Sequence, residues 1–149
     1  MIRQYGPFKK LVLNDPSEKM LERAKYRLRY QEGVEFKSHY IEELPFEKNS
    51  FTKVLCLNSF HYYVNQKKAL TNIKRVLKPR GELFMLDWNR VGRMRITGTL
   101  INWLSPEHIN ARSVDEMINM LEGYEFKIQK KKEWSFRWWN FFFLKCKNK

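Results

Sequence analysis

Residues 10–28 read KLVLNDPSEKMLERAKYRL, a short apolar run that ends in an acid and leads into a helical pattern. Asp15 can cap a helix, Pro16 suits the first helical position, and Glu18 completes a capping-box pattern. Apolar residues then recur at helical spacing at Met20, Leu21, Ala24 and Leu28. The stretch therefore predicts a strand followed directly by a helix.

The same alternation of strand and helix continues along the chain. VEFKSHYI, residues 34–41, predicts a second strand, and FTKVLCLN, residues 51–58, predicts a third that is buried on both faces. Helical spacing returns over residues 69–77, and ELFMLDW, residues 82–88, predicts a fourth strand. A stretch without clear period, residues 89–112, is expected to cover a site.

The C-terminal part begins with a capping box, formed by Ser113 and Glu116, that predicts a further helix. Two strands in succession follow, of which WWNFFFLKC, residues 138–146, is the last. Strands that alternate with helices predict an α/β fold with a parallel sheet, and the last two strands predict an antiparallel hairpin on its edge.

Length and composition place the chain among globular proteins. The 149 residues fit one domain, 1–149, and 43% hydrophobic residues exclude a disordered chain. No apolar run reaches the roughly 18 residues that a membrane span requires, so a cytoplasmic location is expected. Cys56 and Cys146 have no metal-ligand spacing and are expected to be buried thiols, and no metal site is predicted.

A formal net charge of +13 would attract polyanions. The aromatic run WSFRWWNFFF, residues 134–143, could stack bases as single-strand nucleic-acid binders do. Packing of this run within an edge strand is the preferred interpretation, and most of the lysines occupy single scattered positions. Nucleic acid is therefore a partner that the sequence allows but does not favour.

Polar residues at strand ends carry the functional prediction, because ligands of doubly wound sheets bind beyond the carboxyl ends of the strands. Asp15 ends the first strand, and its carboxylate can accept charge-assisted hydrogen bonds from both ribose hydroxyls of a nucleoside. Capping of the following helix is an equally weighted alternative for this residue.

Four segments carry a family resemblance: LVLNDPSEKMLERA, ELPFEKNSF, VLCLNSFHYYV and RVLKPRGELFMLDW. In this order and spacing they resemble successive motifs of the class I S-adenosylmethionine-dependent methyltransferases. The likeness is to the small-molecule branch that includes the ubiquinone and menaquinone biosynthesis methyltransferases. The resemblance implies a Rossmann-like sheet and transfer of a methyl group from S-adenosylmethionine to a small-molecule acceptor.

The resemblance implies a nucleoside subsite in the first part of the chain. Asp15 would bind the cofactor ribose, with Pro16 and Met20 near the adenine face. Tyr40 stands where the family usually has an acid. The backbone N–H of Ile41, with a tyrosine contact, would therefore hold the adenine edge.

The resemblance also implies a second group of site residues after the third strand. Leu57 and Asn58 would lie under the methionine part of the cofactor, and Phe60, His61 and Tyr62 would face the transferred methyl group. His61 is a candidate general base, since an ordinary imidazole titrates near neutral pH. A packing or hydrogen-bonding role for this histidine is the preferred alternative.

The sequence also departs from the family pattern ahead of Asp15 and in the turn before the fourth strand. No G-x-G-x-G loop precedes Asp15, and Arg80 stands where the family's turn has glycine. By resemblance the absent first strand would lie at the sheet centre, which predicts exposed edges covered by a second copy or a completing chain. Direct pairing of the two flanking strands is the alternative. The rival functions are a non-catalytic binding or regulatory subunit and a basic RNA-associated methyltransferase.

Overall fold

The computed structural model describes residues 8–92 and 109–149. The chain divides into two compact units, Met1–Pro45 and Phe46–Lys149. Residues 89–112 were predicted to cover a site, but most of this segment, residues 93–108, lies outside the described residues. Among the helices that the structure describes, none is long and apolar enough to cross a membrane. One domain over 1–149 remains a prediction.

The first unit is a strand–helix–strand arrangement, as predicted. It contains β1 (Leu11–Asn14), α1 (Glu18–Arg27), the parallel partner strand β2 (Val34–Lys37) and a 3-10 turn (Ile41–Glu43). The second strand was predicted to extend to residue 41 but ends at Lys37. Two hydrogen bonds, from Asn14 Nδ2 to the His39 carbonyl and from Ser38 Oγ to the Pro16 carbonyl, hold the chain at the end of β1 instead.

The start of α1 rules out one of the two interpretations of Asp15, that it caps the helix. Ser17 is the N-cap residue, and its Oγ accepts a hydrogen bond from the Met20 backbone N–H. The Asp15 carboxylate, three residues before the first helical residue Glu18, accepts instead from the Ser17 N–H at 2.8 Å. Pro16 therefore lies outside the helix, because the chain enters it two residues later than the sequence pattern indicates.

The second unit contains the larger sheet. Its elements in chain order are β3 (Phe51–Leu57), a 3-10 turn (Phe60–Tyr62), α2 (Gln66–Val76), β4 (Leu77–Trp88), α3 (Val114–Gly123), β5 (Phe126–Phe136) and β6 (Trp139–Asn148). The strand order is β3-β4-β6-β5. The β3 and β4 strands are parallel and the other pairs are antiparallel, which confirms the α/β sheet with a C-terminal hairpin. The Ser113–Glu116 capping box also forms as predicted.

The backbone of β4 is strained at Arg80, the position at which the family's turn has glycine. Arg80 adopts a φ of 62°, the left-handed conformation that costs a non-glycine residue about 1 kcal/mol. The next residue must be glycine, because a Cβ on Gly81 would lie 2.8 Å from the Lys78 carbonyl oxygen. This strain is accommodated within the strand, which begins at Leu77 rather than at Glu82.

The two faces of the larger sheet differ in burial. One face packs against α2 and α3, and its side chains are almost fully buried: Cys56, Leu83, Met85, Asp87, Phe142, Leu144 and Cys146. The other face carries apolar side chains that are only partly covered: Leu55, Leu57, Phe84, Leu86, Phe141 and Phe143. The β3 strand lies at one edge of this sheet. Cover by a second copy or a completing chain remains a prediction.

The two cysteines are free and buried, as predicted. Burial raises the pKa of the Cys56 thiol from its ordinary value of 9.0 to about 11. The folded state therefore holds this proton more tightly than the unfolded chain. Its contribution to stability is complete below about pH 9 and is lost as the pH rises toward 11.

We expect the Cys56 thiol to lower the free energy of unfolding by about 1 kcal/mol between pH 8 and pH 10. Urea unfolding at a series of pH values measures this change. The Cys56→Ala variant should be less stable at every pH because of the cavity. Its stability should nevertheless fall less steeply with pH, and equal slopes in the two proteins would contradict the assignment.

Candidate functional site

The carboxyl end of β1 presents two polar side chains in the first unit. Among the described residues the structure records one hydrogen bond to the Asp15 carboxylate, the bond from the Ser17 N–H. Asn14 donates through Nδ2 to the His39 carbonyl at 2.8 Å. Its Oδ1 is buried and accepts no hydrogen bond from the residues that the structure describes. This strand end therefore offers acceptor oxygens to a ligand with hydroxyl groups.

The remaining predicted nucleoside-binding residues belong to the same unit. Pro16 follows Asp15 directly, and Met20 is exposed in the first turns of α1. Tyr40 precedes the 3-10 turn and is exposed, while Ile41 is its first residue. The first N–H groups of such a turn have no acceptor within the turn itself, which suits the predicted contact of Ile41 with a ligand.

The end of β3 in the second unit places Leu57 and Asn58. Leu57 is the last strand residue and is half-buried. Asn58 adopts a φ of 50°, and its N–H donates to the Leu86 carbonyl of β4 at 2.7 Å. A left-handed residue at this point turns the chain sharply out of the sheet. The turn directs the following residues back toward the end of β4.

The three residues predicted to face the methyl group form the 3-10 turn after β3. Phe60 is buried and packs edge-on against Tyr63, with ring centroids 5.4 Å apart. Tyr62 is 45% exposed. His61 is only 2% exposed, between Tyr62 and Trp88. The turn thus exposes one aromatic side chain and buries the imidazole.

His61 forms a hydrogen-bonded pair with Asp87 of β4. The imidazole Nδ1 and one carboxylate oxygen of Asp87 are in direct contact. The His61 backbone N–H donates to the other oxygen at 3.1 Å, and the Trp88 N–H donates to the first at 2.7 Å. Because two backbone N–H groups already donate to the Asp87 carboxyl group, we assign Nδ1 as a third donor, which places the ring proton on Nδ1.

The second ring nitrogen of His61 has no such partner. Its Nε2 is buried and forms no hydrogen bond within the described part of the chain. With the proton on Nδ1, a neutral imidazole presents a lone pair at Nε2. Leaving a buried acceptor unsatisfied costs about 1 to 3 kcal/mol, and such atoms are rare enough to require an explanation.

The ring of His61 is held on its faces as well as at Nδ1. It stacks on Trp88 with centroids 4.1 Å apart and an interplanar angle of 14°. Tyr62 lies at the same centroid distance with its plane tilted by 47°. The imidazole is therefore fixed in orientation, with Nε2 as its one unsatisfied polar atom among described contacts.

Asn110 and Arg112 line the shallow depression that contains His61 and Asp87, and Gln66 is hydrogen-bonded to both of them. The Gln66 amide donates to the Phe60 and Asn110 carbonyls, and its oxygen accepts from Arg112 Nε. Asn110 in turn donates its backbone N–H to the His61 carbonyl at 2.8 Å. These bonds fix the turn after β3 relative to the start of α3.

Asp87, Trp88 and Arg112 were not among the residues singled out from the sequence. The sequence did contain a signal for Asp87. Like Asp15, it is an acid near the carboxyl end of a predicted apolar strand. The rule that strand ends hold ligands would have selected it. Nothing in the sequence pairs Asp87 with His61, because the two lie 26 residues apart.

The predicted site residues are thus divided between the two units. Five lie in the first unit and five in the second, and those five share the carboxyl end of β3. Within residues 8–92 and 109–149, no group of three or more His, Cys, Asp and Glu side chains is placed to hold a metal ion.

Comparison with known proteins identifies relatives of the chain. A family model described as a methyltransferase domain matches residues 1–85. The ubiquinone/menaquinone biosynthesis C-methyltransferase of Hahella chejuensis is 33% identical over 91 residues, which cover 59% of this chain and 36% of that protein. The demethylmenaquinone methyltransferase of Thermotoga maritima is 24% identical over 153 residues, covering 87% and 66%. The chain thus spans between about a third and two thirds of these relatives.

Solved structures share the fold. The YcgJ protein of Bacillus subtilis has a TM-score of 0.79 at 16% identity, over 95% of this chain and 83% of that chain. A methyltransferase of Haloferax volcanii, solved in complex with the Trm112 methyltransferase activator, has a TM-score of 0.82 at 14% identity, over 99% and 75%. The family match covers more than half of the chain. The chain therefore belongs to the class I S-adenosylmethionine-dependent methyltransferases.

Proposed function

We propose that this protein transfers the methyl group of S-adenosylmethionine to a carbon atom of a small-molecule acceptor. Family membership supports the methyl donor, and the names of the relatives, a C-methyltransferase and a demethylmenaquinone methyltransferase, support the acceptor class. The absence of a G-x-G-x-G loop, Tyr40 and Arg80 favour the alternative of a non-catalytic subunit, and only the net charge of +13 and the aromatic run of residues 134–143 favour an RNA methyltransferase.

The observation that carries the proposal is the state of Asp15. Its two interpretations from sequence were helix capping and ribose binding, and the structure gives the cap to Ser17. The Asp15 carboxylate lies at the carboxyl end of the parallel strand β1. Among the described residues it accepts one recorded hydrogen bond, from the Ser17 backbone N–H. A carboxylate in this position suits the two hydroxyls of a ribose.

The residues present fit the nucleoside part of the methyl donor better than its methionine part. Asp15 would hold the ribose, Pro16 and Met20 the adenine face, and Tyr40 and Ile41 the adenine edge. The donor would supply an electrophilic methyl group on a positively charged sulfur. Leu57 and Asn58 would support the methionine part, for which the sequence has no G-x-G-x-G loop.

We expect the chain by itself to bind S-adenosylmethionine weakly and to transfer no methyl group. Each missing backbone hydrogen bond to a charged ligand removes about 1.5 to 3 kcal/mol, and a micromolar affinity amounts to only about 8 kcal/mol. Calorimetric titration of S-adenosylmethionine into the chain measures the affinity. A strand and glycine-loop segment fused ahead of Met1 should restore binding to the micromolar range.

Two results would contradict this account. Micromolar binding by the unfused chain would show that other residues replace the glycine loop. Absence of binding by the fusion, with the fold intact by circular dichroism, would favour the non-catalytic subunit. Transfer of a tritiated methyl group to a demethylmenaquinone analogue by the fusion tests the acceptor class separately from donor binding.

A further inference from the structure

The tip of the hairpin formed by β5 and β6 exposes large apolar side chains. Phe136 ends β5, Trp139 begins β6, and Arg137 and Trp138 form the turn between them. Trp138 is 78% exposed and Phe136 is 63% exposed. Trp134, on the same face of β5 as Phe136, is 41% exposed. A cluster of exposed rings of this kind marks a surface that binds a partner.

The hairpin tip lies just beyond the carboxyl end of β4. Trp88, the last residue of β4, pairs with Phe141 of β6, so the residues of the tip extend past it. The rings of Trp88 and Trp139 are in contact, with centroids 4.8 Å apart. Trp88 also stacks on His61. The tip therefore belongs to the same end of the larger sheet as the turn after β3.

Two lysines lie behind the exposed rings on the same strand. Alternate residues of β5 face the same way, so Lys130 and Lys132 share a face with the exposed rings. Both lysines are exposed, and the structure records no ion pair for either of them with another described residue. Lys131, on the opposite face, is the residue that pairs with Asp115 and Glu133. The positive charge behind the tip is therefore available to an anionic partner.

We propose that the hairpin tip, consisting of Trp134, Phe136, Arg137 and Trp138, binds the surface of an anionic lipid bilayer. Tryptophan and phenylalanine favour the boundary between lipid headgroups and acyl chains, and basic side chains favour the anionic headgroups. The order along the hairpin, with rings outermost and lysines behind them, matches the order of these layers. This surface binding is independent of the proposed methyl transfer.

The spacing between rings and lysines fits the dimensions of a bilayer surface. The apolar side chains of interfacial proteins are buried about 5 to 10 Å into the boundary between headgroups and acyl chains. Lys132 precedes Phe136 by four residues, which is about 13 Å along a strand. With the rings inserted, Lys132 would lie at the level of the lipid phosphates. Lys130 would lie about 7 Å further back, within the Debye length of about 10 Å at 0.1 M salt.

A second copy of the chain and a nucleic acid suit this surface less well. β5 is an edge strand of the sheet, and lysines on an edge oppose pairing with another strand of the same charge. Nucleobases stack on open ring faces. Trp134 already stacks on Phe141, and the Arg137 guanidinium lies over the Phe136 ring. A bilayer requires only apolar area, which the exposed parts of these rings supply.

Vesicle binding by the full chain tests the proposal. Vesicles of phosphatidylcholine alone, and of equal parts phosphatidylcholine and phosphatidylglycerol, are compared by co-sedimentation at about 0.1 M salt. Tryptophan emission is measured with lipids brominated on their acyl chains, which quench rings that insert. The tip variant is Phe136→Ala/Trp138→Ala. Its matched control, Tyr26→Ala/Tyr30→Ala, removes two exposed rings of the first unit that also contact an arginine, Arg29.

We expect the chain to bind the anionic vesicles, with quenching by brominated lipid, and to bind phosphatidylcholine alone about tenfold more weakly or worse. The tip variant should bind anionic vesicles about tenfold more weakly and lose most of the quenching. The tyrosine control should change the affinity by less than about twofold, because its rings lie away from the tip. Circular dichroism checks that each variant keeps the fold.

A second pair of variants tests the charges. Lys130→Gln/Lys132→Gln should weaken binding to anionic vesicles by about tenfold and leave binding to phosphatidylcholine unchanged. The control Lys48→Gln/Lys78→Gln removes the same charge from exposed positions at the amino ends of β3 and β4, the opposite end of the sheet. Its effect should be less than about threefold, because salt screens charges that lie more than a Debye length from the lipid.

The proposal is overturned if anionic vesicles do not sediment the chain, if they do so without quenching, or if a variant and its control lose equal affinity. A single-stranded oligouridylate is titrated as the nucleic-acid probe. Loss of oligouridylate binding in a tip variant that still binds vesicles would assign the surface to nucleic acid and reject the proposal. No methyl donor is present, so these results do not depend on the proposed function.

Discussion

Asp87→Ala should lower the free energy of unfolding by about 3 to 5 kcal/mol. The variant removes the acceptor of three N–H donors, on the imidazole of His61 and on the backbones of His61 and Trp88. Asp87 is only 3% exposed, so water cannot readily replace the carboxylate. Urea unfolding followed by circular dichroism measures the loss.

Asp115→Ala is the matched control for this variant. Asp115 is likewise an aspartate with a side-chain partner, Lys131, but its side chain is 81% exposed. Its removal should change the free energy of unfolding by less than about 1 kcal/mol. Asp87→Asn keeps the side-chain volume and one acceptor oxygen, so its loss in the free energy of unfolding should lie between those of the two alanine variants. A loss below 1 kcal/mol for Asp87→Ala would show that the pair does not hold the turn after β3.

Asp15→Ala should weaken the binding of S-adenosylmethionine by about 2 to 4 kcal/mol, or roughly 30- to 1000-fold. The reason is the loss of two charge-assisted hydrogen bonds to the ribose. Calorimetry on the glycine-loop fusion measures the change, because its parent affinity is expected to be high enough for a weaker variant to be followed.

Ser17→Ala separates the two interpretations of this segment. Ser17 caps α1, so its replacement should lower the free energy of unfolding by about 1 kcal/mol and leave donor affinity unchanged. Asp15→Ala should show the opposite pattern, with a large change in affinity and a smaller change in stability. Equal donor affinity in Asp15→Ala and the parent would remove Asp15 from the site.

Local patterns in the sequence were sufficient for most of the architecture. Apolar spacing predicted the β1–α1–β2 unit, the helices α2 and α3 and the hairpin of β5 and β6, since these elements depend on residues near one another in the chain. Motif order predicted the family, which the match over residues 1–85 confirms. The positive φ of Arg80 was also predictable, because the family has glycine at that turn.

Other features depended on how the chain closes in space. Asp15 and Ser17 are both good capping residues, and only the path of the chain from β1 into α1 decided that Ser17 is the cap. The length of β2 was likewise decided by side-chain hydrogen bonds from Asn14 and Ser38, which no periodic pattern encodes.

The pairing of His61 with Asp87 is the clearest case of a feature that tertiary structure alone determined. The sequence marked His61 as a candidate base but contained no link to an acid 26 residues away. The link arises because β3 and β4 pair in parallel, with Leu57 opposite Leu86. The left-handed turn at Asn58 then brings the following residues over the end of β4. Sequence patterns report local conformation and burial, whereas this contact depends on strand register, which is set only when the sheet forms.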